Sequence, residues 1–388
     1  MPSAYLDHAA STPMRPEALA ALVEVLEHAP GNPSGQHAWA REARRRLDDA
    51  RDGIAALLGV GPGGIVFTSG GTEADNLAIR GVLGARGGRA LCSAIEHHAV
   101  LDVVHASGGG TVAVDGTGRL DLDHLADELA ADPEISVVSV VLANNEVGTL
   151  QDLDAIADVI DQARLSHPNG LVLHTDAVAA AAWVDVAELA VRADLITISG
   201  HKVGGPKGIG VLAAREGVEL APILLGGGQE RERRSGTPDV AGAVALGVAL
   251  AATERDRITV VGRVRGQAER LADGLAEATG HHVRRTVPPR STPGVANIVH
   301  LSCQEVDSEP LLFLLDEAGV AASAGSSCAS GALEPSHVVE ALGVAPDWAP
   351  GALRLSLGWC TTDEEIDHAL AVIPAALAQL RPHAEPAA

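Results

Sequence analysis

The chain has 388 residues, 46% of them hydrophobic, enough to bury a large core without disulfide staples. Its 28 basic and 51 acidic residues leave a net charge of −23, which argues against direct nucleic-acid binding or an anionic membrane partner. No apolar run is long enough to span a bilayer, MPSAYLDHAAS lacks the basic and apolar parts of a secretory leader, and Cys92, Cys303, Cys328 and Cys360 form no CxxC pair; we expect a reduced, cytoplasmic chain without a metal site.

An Ala- and Arg-rich helical pattern follows Gln36 and ends at Gly59, a natural C-cap. GIVFTS, from Gly64, reads as the first strand of the main array. SGGTEADN follows it, with Gly71 and Thr72 opening a helix whose free N–H groups suit a phosphate. The strand RALCSAI is followed by Glu96-His97-His98, and ISVVSVVLA by Asn144-Asn145-Glu146. The helical pattern LDAIADVIDQARL comes next, then the strand GLVLHTD. That strand closes on Asp176, whose apolar neighbours Ala177 and Val178 suggest a paired, partly buried carboxylate. ADLITIS closes on Ser199 and is followed by Gly200-His201-Lys202, and IGVLAA is the last run of the array. The alternation predicts an α/β fold, a mostly parallel sheet with helices on both faces.

Near Val240 the pattern becomes one long helix reaching roughly to Gly280. After the irregular VPPRSTPG come the strand NIVHLS, the helix SEPLLFLLDEAG, the strand RLSLG and the helix TTDEEIDHALAVIPAALAQL, a smaller α+β domain. We place the boundary near Asp256, inside the long helix, which assigns 14–256 to the large domain and 1–13 with 257–388 to the small one.

Active sites of parallel sheets gather at the carboxyl ends of the strands. Here those ends bear a phosphate cradle, a His, an Asn, an Asp and an amine. Of the 28 basic residues only Lys202 and Lys207 are lysines, both in SGHKVGGPKGIG. A Schiff base needs a primary amine that can lose its proton, which Arg does not supply. A pyridoxal phosphate site requires this set: an amine, an anion for the ring nitrogen, a phosphate cup and a group over the ring.

From YLDHAASTP at Tyr5 to TTDEEID at Asp367, the chain resembles the cysteine desulfurases, within the class-V aminotransferase-like pyridoxal phosphate enzymes. The resemblance rests on FTSGGTEADNLAI, EHHAVL, NNEVG, SGHKVGGPKGIG, GGGQE, RSGT and SSCASGALEPS. The last is similar to the group with the longer cysteine loop. The resemblance implies a fold-type I homodimer in the cytoplasm, with the site near the subunit interface. By position, Lys202 would hold the cofactor and move the substrate Cα proton. Asp176 would pair with the ring nitrogen, and His97 would stack on the ring and assist proton transfer as a catalytic residue. Gly71, Thr72, Ser199 and His201 would hold the phosphate, with Thr237 reaching in from the other subunit. Asn145 would lie beside cofactor and substrate carboxylate, Arg354 would clamp that carboxylate, and Asn32 would assist. L-cysteine would be the substrate. Cys328, among small polar residues, would take its sulfur as a persulfide, leave alanine, and pass the sulfur to an acceptor protein.

Three positions leave the family pattern. Ala179 replaces the usual Gln three residues after Asp176, Arg231-Glu232-Arg233-Arg234 replaces a glycine-bearing segment before RSGT, and Trp359 replaces an Arg. A selenocysteine lyase, another lyase or an aminotransferase on the same fold is the nearest alternative, and a scaffold subunit for sulfur transfer is another. Cys328 favours desulfuration over the first, and intact Lys202, Asp176 and Cys328 argue against the second.

Overall fold

The computed structural model describes residues 4–280, 282–287, 293–325 and 336–380. In chain order the first part comprises β1 (Ala4–Tyr5), α1 (Pro16–His28), α2 (Ala38–Leu57), β2 (Ile65–Thr68), α3 (Gly71–Arg86), β3 (Arg89–Ser93), α4 (His98–Ala106) and β4 (Gly110–Val112). Next come α5 (Leu122–Ala131), β5 (Ile135–Ser139), α6 (Leu153–Arg164), β6 (Val172–Asp176), α7 (Val186–Leu189), β7 (Leu195–Ser199) and β8 (Gly210–Ala214).

Strands β2 to β8 form a seven-stranded sheet in the order β2-β8-β7-β6-β5-β3-β4. Every residue of β5, β6 and β7 is buried, as strands covered on both faces must be. Alternation sorts their side chains: Val137 and Leu195 pack on the side of α3 and α4, while Val138 and Ile196 join the core on the opposite face. The sheet is parallel except at β8, which runs antiparallel to both neighbours. Only residues 200–209 join β7 to β8, too few for a parallel crossover. The expected strand 135–143 is regular only to Ser139. Beyond it, Val140 and Leu142 still donate to the carbonyls of His174 and Asp176, both at 2.9 Å.

The long helix α8 (Val240–Ala278) has 39 residues, about 58 Å, and opens on Asp239, whose Oδ1 accepts the Gly242 N–H at 2.8 Å. Its first half buries Leu246 and Leu250 with the large sheet, and its second half buries Val264 and Leu271 in a separate core. No residue between Thr253 and Val264 is fully buried.

That second core is built from β9 (Val283–Arg285), β10 (Ile298–Cys303), α9 (Ser308–Glu317), β11 (Val320–Ala321), β12 (Ala352–Ser356) and α11 (Asp363–Leu380), while the short α10 (His337–Ala341) packs its Val338 against Ile95, Val141 and Val147 of the large part. The order β12-β10-β9 is antiparallel, and beside it β1 pairs parallel with β11 in a separate two-stranded sheet that shares the same core. Among the described residues no helix is long and apolar enough to cross a membrane.

Candidate active site

A cavity of about 280 Å³ opens at the carboxyl ends of the large sheet and is closed on one side by β12 and residues 9–10. Of the residues expected from the sequence, Gly71, Thr72, His97, Asn145, Asp176, Ser199, His201, Lys202 and Arg354 line it. Asn32 and Thr237 do not, and both are exposed. Cys328 lies outside the described residues; Gly325 and His337, on either side of 326–335, both line the cavity.

The turn into α3 is shaped for close approach. Gly70 has φ +148° and ψ −176°, a conformation open essentially to glycine alone. A Cβ on Gly71 would come within 2.9 Å of Val178 Cγ2. The first helical bond runs from Ala74 N to Gly70 O at 3.2 Å, so the earlier N–H groups have no acceptor within the helix and suit an anion.

Lys202 sits on the short turn after β7. Its Nζ donates to the carbonyl of Ala10 at 2.9 Å and to that of Ala9. Asp176, at the end of β6, is buried, and its Oδ1 accepts the Val178 N–H at 2.8 Å. Burial raises its carboxyl to about 6, against the pull of that hydrogen bond and of Lys202. His97 caps α4, with Nδ1 accepting the Ala99 N–H at 3.1 Å, so the neutral ring carries its proton on Nε2. Burial, then the charge of Lys202, hold this ring's pKa at about 4, and the same causes bring His201 to about 4.

Arg354 is 2% exposed. Its Nη1 donates to the Asn145 carbonyl and its Nη2 to Asp7 Oδ1, both at 3.0 Å, while Nε has no hydrogen-bond partner among the described residues. The other thiols are poor nucleophiles: Cys92 is buried in β3 and Cys360 half-buried, and burial pushes both up. Cys303 is buried in β10.

Sequence reasoning gave no role to several groups that line the cavity: Asp75, Glu96, Glu146, His98 and His337, with Asp7 behind Arg354. Asp75 could have been found from its spacing, because it follows Gly71 by four residues and shares its helix face. At the three departures, Ala179 lines the cavity. Trp359 packs beneath the Arg15 guanidinium, 5.1 Å from its ring centre. Arg231 and Glu232 adopt positive φ of 57° and 65°.

The sequence profile of the class-V aminotransferases matches residues 4–369. An IscS-like cysteine desulfurase of Mycobacterium tuberculosis is 38% identical, with 97% of each chain covered. The solved structure of a NifS-like protein superposes with a TM-score of 0.88 at 29% identity, covering 98% of this chain and 100% of that one. SspA in complex with cysteine gives a TM-score of 0.75 at 27% identity, covering 93% and 100%. With this match spanning both cores and every strand end that lines the cavity, the chain belongs to the class-V aminotransferase family and, within it, to the cysteine desulfurases.

Proposed function

We propose that the cavity holds pyridoxal 5'-phosphate and that the protein uses it to convert L-cysteine to L-alanine, with the sulfur received on Cys328 as a persulfide. The observation that carries this reading is the convergence of Lys202, Asp176, Arg354 and the start of α3 on one cavity. The residues fit the cofactor. The Gly70–Gly71 cradle excludes a side chain where a phosphate approaches, and Thr72, Ser199 and His201 complete a cup of donors. The buried carboxyl of Asp176 suits a protonated ring nitrogen. When bound, the cofactor withdraws electrons from the substrate Cα, which loosens first its proton and then the bond to sulfur.

The chain's own residues do the rest. Lys202 carries the cofactor and moves the Cα proton at its Nζ. His97 covers the ring as a neutral imidazole with its proton on Nε2. Arg354, fixed by Asp7 and the Asn145 carbonyl, receives the substrate carboxylate on the face of its unpartnered Nε, beside Asn145. Cys328 supplies the thiol: cysteine and this thiol become alanine and a protein persulfide, with no external oxidant. That Gly325 and His337 both line the cavity supports its part. A homodimer accounts for Thr237 and Asn32, which would then serve the neighbouring subunit's site. We assign a large domain to 14–256 and a small one to 1–13 with 257–388, a reading supported by the two cores that α8 joins. A cytoplasmic enzyme handing its persulfide sulfur to an acceptor protein completes the reading.

Reconstitution with pyridoxal phosphate, borohydride reduction and peptide mapping test it. The label is expected on Lys202 and not on Lys207. Cys328→Ser is expected to keep the cofactor absorbance and lose persulfide formation. A label on Lys207, or undiminished sulfur transfer in Cys328→Ser, overturns the corresponding assignment.

A further inference from the structure

Asp75 has no part in the chemistry above, yet it lines the same cavity. It is 1% exposed, and its Oδ1 has no hydrogen-bond partner among the described residues. From α3 it meets β6 and β7 where His174 and Asp176, two residues apart, share a face and Thr197 stands opposite Asp176. His174 Nε2 lies 3.6 Å from Asp75 Oδ1, but its two nitrogens are engaged by Ser139 Oγ at 2.8 Å and Thr197 Oγ1 at 3.0 Å. Burial brings that ring to about 3, so it is no cation for Asp75. A third buried carboxyl, Glu96, holds the Val141 N–H on Oε1 at 2.6 Å, and its Oε2 has no partner among the described residues.

Asp75, Asp176 and Glu96 line one cavity and all three are buried, and carboxyls sharing such a site do not all ionise. Asp176 has the Val178 N–H and Lys202 to favour its charge. Asp75 has burial and Asp176 against ionisation and only the Thr197 hydroxyl in favour. Glu96 is pushed the same way by burial and by Asp176. We propose that Asp75 is a neutral carboxylic acid built into the floor of the site, a positioning residue that confines the floor's negative charge to Asp176. The purpose of this arrangement rests on the pyridoxal phosphate reading: one anion matches one protonated ring nitrogen, whereas two would draw in a further proton or cation. The protonation state of Asp75 does not depend on that reading.

Infrared spectroscopy of the full-length protein separates the two. In the cofactor-free protein at neutral pH, Asp75→Asn is expected to remove one protonated-carboxyl band, with Glu96→Gln assigning the band of Glu96. Because Asn has nearly the shape and charge of a neutral Asp, Asp75→Asn is expected to keep the midpoint at which the bound pyridoxal phosphate absorbance titrates with pH. An unchanged carboxyl band overturns the proposal. So does a midpoint moved by about one unit or more, the effect expected on deleting a buried charge. If Asp75→Asn does not fold, the wild-type spectrum decides: loss of every protonated-carboxyl band at neutral pH overturns the proposal. Failure to bind pyridoxal phosphate at all counts against the functional reading and leaves the infrared result standing.

Discussion

The molecule buries carboxyls in two contrasting ways. Glu230, its side chain 4% exposed, receives Arg51 Nη2 at 2.7 Å, Arg51 Nη1 at 2.9 Å and the Phe67 N–H at 3.1 Å. Arg51 also donates to the Ile65 carbonyl at 2.6 Å and lies over the Phe67 ring at 4.8 Å. Under the cavity, by contrast, Asp75 and Glu96 each keep an oxygen with no hydrogen bond among the described residues. A buried charge with its donors filled is a strut, whereas buried acids with donors missing can gain or lose a proton. The strut also holds strain: Glu230, Arg231 and Glu232 have φ of 47°, 57° and 65°, and the ion pair fastens this turn to the edge of the sheet at β2.

Breaking the strut is expected to have the largest effect. Arg51→Met leaves Glu230 buried without its partner and should lower stability by about 3–5 kcal/mol in urea denaturation. A loss below about 1 kcal/mol would rank the pair with surface ion pairs and erase the contrast.

The floor should respond to pH instead. The Asp176 carboxyl titrates at about 6 in the folded protein, above its ordinary 3.8, so the folded form holds the proton more tightly. Its contribution to stability is complete below about 4 and is lost as pH rises through about 6. The difference between the cofactor-free wild type and Asp176→Asn should therefore change by about 3 kcal/mol across that window. Parallel stability curves for the two proteins would mean that Asp176 is already paired as the strut is.

A smaller test lies beside it. Ala179 lines the cavity where the family resemblance would place a Gln, so Ala179→Gln is expected to shift the pH midpoint of cofactor absorbance by about one unit through a new hydrogen bond to a charged group. Coincident titration curves would show the donor already replaced. The smallest effect belongs to the strained turn. Glu232→Gly relieves a left-handed residue and should stabilise the fold by about 1 kcal/mol or less, read from the urea midpoint.

Much of this was legible in the sequence, and the limits have physical reasons. Strand ends announced His97, Asp176 and Lys202 because an apolar run that stops on a polar residue marks the rim of a parallel sheet. The reversal of β8 was not announced, since an apolar strand reads alike in either direction and the short turn before it was the only sign. Helix α1 and the short strands β1, β4, β9 and β11 carry too few residues, or too little contrast between their faces, for periodicity to mark them. Asp75 and Glu230 stayed hidden for another reason. A carboxylate on a helix or turn reads as solvated until the partner that buries it is known, and Arg51 is 179 residues from Glu230.

The pairing of β1 with β11 has a consequence for biogenesis. Residues 4–10 hold Lys202 through Ala9 and Ala10, and they hold Arg354 through Asp7, which lies 347 residues earlier in the chain. During synthesis this leading segment has no strand to join until β11 and β12 leave the ribosome, so it waits beside a large sheet whose own strands can already pair. Loop closure across such a separation is among the slower steps of folding. The nascent protein thus remains without the Asp7–Arg354 pair until the small core closes, and residues 4–10 are drawn in last to finish the cavity wall.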